Sequence, residues 1–161
     1  MEARYAIGHA LMTLGDLNWQ RGDTERAIAL WQRALVVRSQ IADRRGIADA
    51  LERLGWSLVG SDQAESAAWL FGAADAQHAF LGIALRHDEQ VDHAEQVSAA
   101  RERLGEAFDT AWSAGQASTV DAAVVAALEF TPRNPDAATV WTLRNHPPVA
   151  RVFELSSVGP H

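Results

Sequence analysis

The chain has 161 residues, 48% of them apolar, a net charge of −7 and no cysteine. This is one domain's length with enough apolar residues for a packed core, and it excludes disulfides, thiolate catalysis and cysteine-ligated metal centres. The charge is uneven: residues 1–46 carry seven Arg against five acids and residues 47–131 four against fourteen, so the acidic middle excludes the basic face that nucleic acid requires.

From Glu2 onward the apolar period is helical. In the first predicted helix Leu11, Leu14, Gly15 and Asn18 share one face. A glycine there costs up to ~1 kcal/mol of helix propensity relative to Ala, so Gly15 reads as a point of close approach. Gly22 suits a left-handed turn, and Asp23 or Thr24 can cap a second helix whose facing stripe is Ala27, Trp31 and Ala34. "ADRRG" closes that helix. The third places Leu51, Leu54, Gly55 and Leu58 on one face. The fourth is expected from about Gln63 to Leu85, because apolar positions continue through Phe80, Leu81 and Leu85. "RHDEQ" ends it, and a helix over about Val91–Leu104 follows, stopped by Gly105. A short helix uses Phe108, Ala111 and Trp112. The last is capped by Ser118 or Thr119 and buries Val120, Ala123, Val124, Ala127 and Leu128. At "TPRNP" the pattern breaks, and Pro132, Pro135, Pro147, Pro148 and Pro160 are all the prolines of the chain. Residues 1–130 are thus expected to form one all-α domain, and 131–161 a tail outside it. Within the tail Asp136 is placed to cap a short helix through Trp141 to Leu143, and "VARVFEL" suits a strand or a helix. No apolar run reaches the ~18 residues of a membrane span. The N-terminus lacks the apolar core of a secretion signal, and a cytoplasmic location is expected.

Two stretches repeat. "LGDLNWQRGDTERAIALWQRAL" begins at Leu14 and "LGWSLVGSDQAESAAWLFGAAD" at Leu54. Leu14 and Leu54, Gly15 and Gly55, Ala27 and Ala67, Trp31 and Phe71, and Ala34 and Ala74 all stand 40 apart. The skeleton L-G…A-x3-W/F-x2-A resembles the tetratricopeptide repeat, a helical hairpin that stacks into a solenoid. Two departures stand out. Asn18 and Leu58 occupy the position where that repeat carries an aromatic, and the period is longer than the usual ~34. The longer period is similar to that of the repeats in large bacterial regulatory ATPases. "GAADA" and "ARERLGEAFDTAWSAGQASTVDAAVVAALE" resemble the C-terminal end of those LuxR-type regulators. The resemblance implies a sensor or protein-binding arm, built from a tetratricopeptide-like helical solenoid with a helical cap. The regulator's other parts are not expected here. A P-loop needs Lys and the chain has none, and no helix-turn-helix pattern follows Phe130.

Few residues invite chemistry. "RHDEQVDHAEQ" gathers His87, Asp88, Glu89, Asp92, His93 and Glu95, residue types that suit a divalent metal or acid–base work. But His87 and His93, six apart, fall on different faces of a helix. The acids suit a solvated helix start, favoured by the dipole. Ser57 in "GWSLVG" lies inside a helix, where the nucleophile elbow's strand-to-helix turn cannot form. His9, His78 and His146 stand isolated. No catalytic residue, metal or cofactor is expected. The alternative keeps the 87–95 loop as an enzymatic or metal-binding element.

The tryptophans sort by face. Trp31 and Phe71 occupy the repeat's aromatic core position, and Trp69 and Trp112 are expected between helices. Trp19 and Trp56 lie opposite the Leu–Gly stripe. In the resembled repeats the first helix of each pair lines a concave groove. That implies a partner-binding face of His9, Met12, Asp16 and Trp19 with Asp49, Glu52, Arg53 and Trp56, the tryptophans acting as anchors. Arg53 is the one basic residue there, which argues against a clamp for a C-terminal carboxylate. The expected partner is a protein or peptide segment. The outer face of the first helix, near Ala3, Ala10 and Leu17, is a candidate for pairing with another copy.

Overall fold

The computed structural model describes residues 1–82, Ala84 and residues 86–131. The expectations for Asp136, Trp141, Leu143 and "VARVFEL" lie outside the described residues. Among the described residues there are seven helices and no strand: α1 (Glu2–Gln20), α2 (Thr24–Gln40), α3 (Arg44–Val59), α4 (Ala64–Leu81), α5 (His87–Leu104), α6 (Ala107–Gln116) and α7 (Val120–Phe130). The described part of the chain is all-α, as expected. None of the described helices is long and apolar enough to cross a membrane.

Caps set the boundaries. The Asp23 carboxylate accepts from Arg26 N at 3.2 Å, that of Asp43 from Gly46 N at 3.0 Å, and the Thr119 hydroxyl from Ala122 N at 3.1 Å. Each satisfies one of the amides a helix start leaves unpaired. α4 stops at Leu81, short of the expected Leu85, because Gly82 takes a left-handed φ of 64°. Ala42, 40 residues earlier, holds the same turn at φ 53° although it has a side chain. α5 starts at His87, ahead of the expected Val91. Glu89 reaches back to accept from Arg86 N at 3.1 Å, and Asp88 and Glu89 lie in the first turn.

The repeated glycines explain the repeated register. A Cβ on Gly15 would strike the Trp31 indole, and one on Gly55 the Phe71 ring. Each glycine lets an aromatic of the following helix approach the backbone where a Cβ would stand. Gly8 meets Arg38 in the same way, so α1 and α2 run antiparallel. Trp31, Leu35, Leu51, Leu54, Leu70 and Phe71 are wholly buried between the two hairpins. α4 and α6 approach more closely still. Gly72 lies on the backbone of Trp112, and Gly115 on the backbone of Trp69. α7 packs across α2, α3 and α4. Beyond its end, Gln32 Nε2 donates to the buried Thr131 Oγ1 at 2.6 Å, and that hydroxyl donates to Ala127 O at 2.7 Å. Trp69 and Trp112 sit partly buried against the core, as expected.

One face differs from its expectation. Leu14 is 48% exposed, whereas Leu54 is 0% exposed. α3 has α2 behind it, and α1 has no described helix there. The same residue type at the same repeat position is core in one hairpin and surface in the other.

Candidate functional site

α1, α3 and α5 enclose a cleft of ≈ 390 Å³, lined by Asp16, Trp19, Gln20, Arg53, Trp56, Asp92, Glu95 and Gln96. Its floor is aromatic. Trp19 tilts onto Trp31 with ring centroids 5.4 Å apart, and Trp31 meets Trp56 edge-on at 6.5 Å. The Arg53 guanidinium lies 4.2 Å over the Trp56 ring. Arg53 Nε donates to Asp16 Oδ1 at 3.1 Å, and the same oxygen accepts from Trp31 Nε1 at 3.0 Å. Asp16 thus fixes the core indole and the arginine together. With its side chain only 11% exposed, Arg53 acts as a wall and not as a free cation.

The α5 side of the cleft is unlike the α3 side. Asp92 and Glu95 are exposed, and no ion pair among the described residues engages either. Among the described residues the cleft therefore combines a tryptophan floor, a neutralised arginine and two carboxylates outside any ion pair.

Behind Arg53 lies a buried polar cluster. Glu52 Oε1 stands 3.3 Å from His78 Nδ1 and 3.9 Å from His93 Nε2, and Glu52 Oε2 is 3.7 Å from Arg53 Nη1. His78 Nε2 is 3.4 Å from Asp49 Oδ1. Burial pushes the Glu52 carboxyl up to about 7, against the pull of His78 and Arg53. Burial alone would lower His78, but its hydrogen bond to Asp49 and the Glu52 charge prevail and raise it. Burial, aided by the His78 and Arg53 charges, brings His93 down to about 4. His93 also meets Phe71 edge-on at 5.3 Å, and its Nδ1 is buried without a partner among the described residues. Protonating it would leave a charged N–H with no acceptor. His93 pins α5 onto α3 and α4.

Of the eight residues expected to form the partner face, Asp16, Trp19, Arg53 and Trp56 meet in the cleft. The others do not line it. Met12 is in the core, and Glu52, 2% exposed, is internal. Asp49 is half-buried beside His78, and His9 is exposed on α1. Trp56, 7% exposed, belongs to the core and brings only an edge to the cleft. The residues missed were those of α5. Asp92, Glu95 and Gln96 stood in the densest polar stretch of the sequence, read as a solvated helix start. His78 and His93 are not isolated or solvated, because Glu52 of α3 draws them together. The 87–95 segment gathers no metal-binding group of three or more His, Asp or Glu among the described residues. The Ser57 hydroxyl donates back to Leu54 O at 2.6 Å. Comparison with protein-family models, with curated proteins and with solved structures gives no match.

Proposed function

We propose that the chain is a non-catalytic interaction module that takes a basic protein or peptide segment into the α1–α3–α5 cleft. The observation that carries this reading is the pair of carboxylates, Asp92 and Glu95, that no ion pair among the described residues engages, in a tryptophan-floored cleft whose arginine is already neutralised by Asp16. A ligand's guanidinium or ammonium group would gain charge-assisted contacts from the acids and stacking from Trp19. An acidic ligand would meet repulsion instead, which gives selectivity.

We read the two hairpins as tetratricopeptide-like repeats stacked as a solenoid, with α5–α7 as a cap. The 40-residue recurrence of Gly15–Trp31 as Gly55–Phe71 supports that reading. On it, the module is the protein-binding or sensor arm of a bacterial transcriptional regulator, working in the cytoplasm.

Calorimetric titration with arginine-rich, lysine-rich and aspartate-rich peptides of equal length tests the ligand class. Basic peptides should bind, and affinity should fall as salt rises. Asp92→Asn with Glu95→Gln should weaken binding by about tenfold or more. Equal binding of aspartate-rich peptides, or an unchanged affinity in the double variant, would remove the assignment.

A further inference from the structure

α1 carries a second apolar face, turned away from α2. Ile7 is 51% exposed, Leu14 48% and Leu17 41%, and Ala3 and Ala10 are exposed between them. Ala3, Ile7, Ala10, Leu14 and Leu17 follow the alternating four- and three-residue spacing of a two-helix seam. The internal repeat shows what such a face is for. Forty residues on, Ile47, Ala50 and Leu54 of α3 are 2%, 0% and 0% exposed, and α2 packs along that helix. The α1 face is thus of a kind that this fold buries against another helix.

We propose that a second copy of this chain covers it, α1 against α1, in an antiparallel two-fold pair. Three observations select a copy as the occupant. The far end of the stack is closed, since Gly72 and Gly115 lock α4 against α6. Head-to-tail addition would have to seat α1 on that closed end, whereas a symmetric contact needs only the α1 face itself. The seam is self-complementary. With the axis between Ala10 and Leu14, Ile7 meets Leu17 of the partner copy, and Ala10 meets Leu14 of the partner copy, small against large. The flanks also carry little charge: Ala6, Thr13 and Gln20 are neutral, and Arg4 falls opposite Asn18 of the partner copy. No like charges oppose each other, and a charged partner would find little to complement.

Sedimentation equilibrium of the full chain tests this. The expected mass is twice the 17.5 kDa of one chain. Leu14→Asp places a carboxylate twice in the seam and should weaken the pair by about a hundredfold or more. Because Leu14 is solvent-exposed in the single chain, the variant should keep its helical circular dichroism. Should it unfold, Ala10→Glu, at a smaller exposed site, carries the same test. The melting temperature of the unaltered chain should rise with protein concentration, and that of the folded variant should not. A 17.5 kDa species at hundred-micromolar concentration, a higher-order assembly, or a dimer indifferent to a folded seam variant would each overturn the proposal.

Discussion

Trp56 shows what a single residue's spacing leaves out. Its position opposite the Leu–Gly stripe marks a surface anchor, yet the ring packs edge-on to Trp31 and under Arg53. What buries it is packing by Trp31 of the neighbouring helix α2 and by Arg53 of its own helix, which the local period does not encode. Trp56→Ala should therefore cost about 3–5 kcal/mol, comparable to Leu54→Ala. Urea denaturation of both variants measures it, and a mild Trp56 variant would return the ring to the surface. The repeated glycines, by contrast, were legible at Gly15 and Gly55. Gly72 and Gly115 do not read as close-approach points, because each faces a backbone 40 or more positions away. Gly72→Ala should destabilise by about 1–3 kcal/mol or more, since a backbone cannot swing aside as a ring can. Ala42 is the opposite case. Ala42→Gly should stabilise by about 0.5–1 kcal/mol by relieving a left-handed residue, and thermal melting reports it.

Among the elements, helices ended by capping side chains were readable. Asp23 and Thr119 stand where an apolar period begins, and they cap α2 and α7. The end of α4 was not readable, because the apolar sequence runs on past Gly82. α5 was the least legible: of its residues only Ala100 is buried, so it carries almost no apolar stripe. His93 ties the N-terminal half of α5 to Glu52 and Phe71, which gives a pH dependence. The unfolded chain protonates His93 near its ordinary 6.5, and the folded chain only near 4. Between those values the unfolded state binds more protons, so the contribution of His93 to stability falls as pH falls. Glu52 acts in the other direction. Its carboxyl is raised from 4.5 to about 7, so its contribution is present below 4.5 and is lost as pH rises through about 7. His93→Gln isolates the histidine. The stability of the unaltered chain relative to that variant should decline by roughly 2–3 kcal/mol from pH 6.5 to 4. A difference independent of pH would place His93 outside the cluster. Hydrogen exchange near pH 5 should open α5 before α3, as expected of the most thinly packed helix.

For the whole molecule, the 40-residue period carried the helical hairpins and the uneven charge carried the acidic character. The cleft itself was half legible. Asp16, Trp19, Arg53 and Trp56 follow from the repeat, because each lies on the leading helix of a hairpin. Asp92 and Glu95 do not, because α5 belongs to neither repeat and packs on α3 and α4, across the cleft from α1. Indole N–H resonances test whether a basic segment is held between Trp19 and the α5 carboxylates. In a two-dimensional spectrum of the labelled chain, an arginine-rich peptide should shift the Trp19 signal most and that of Trp56 next. Trp69 and Trp112, on the far side of the core, should stay fixed. Shifts led by Trp69 or Trp112, or none at saturating peptide, would contradict the account.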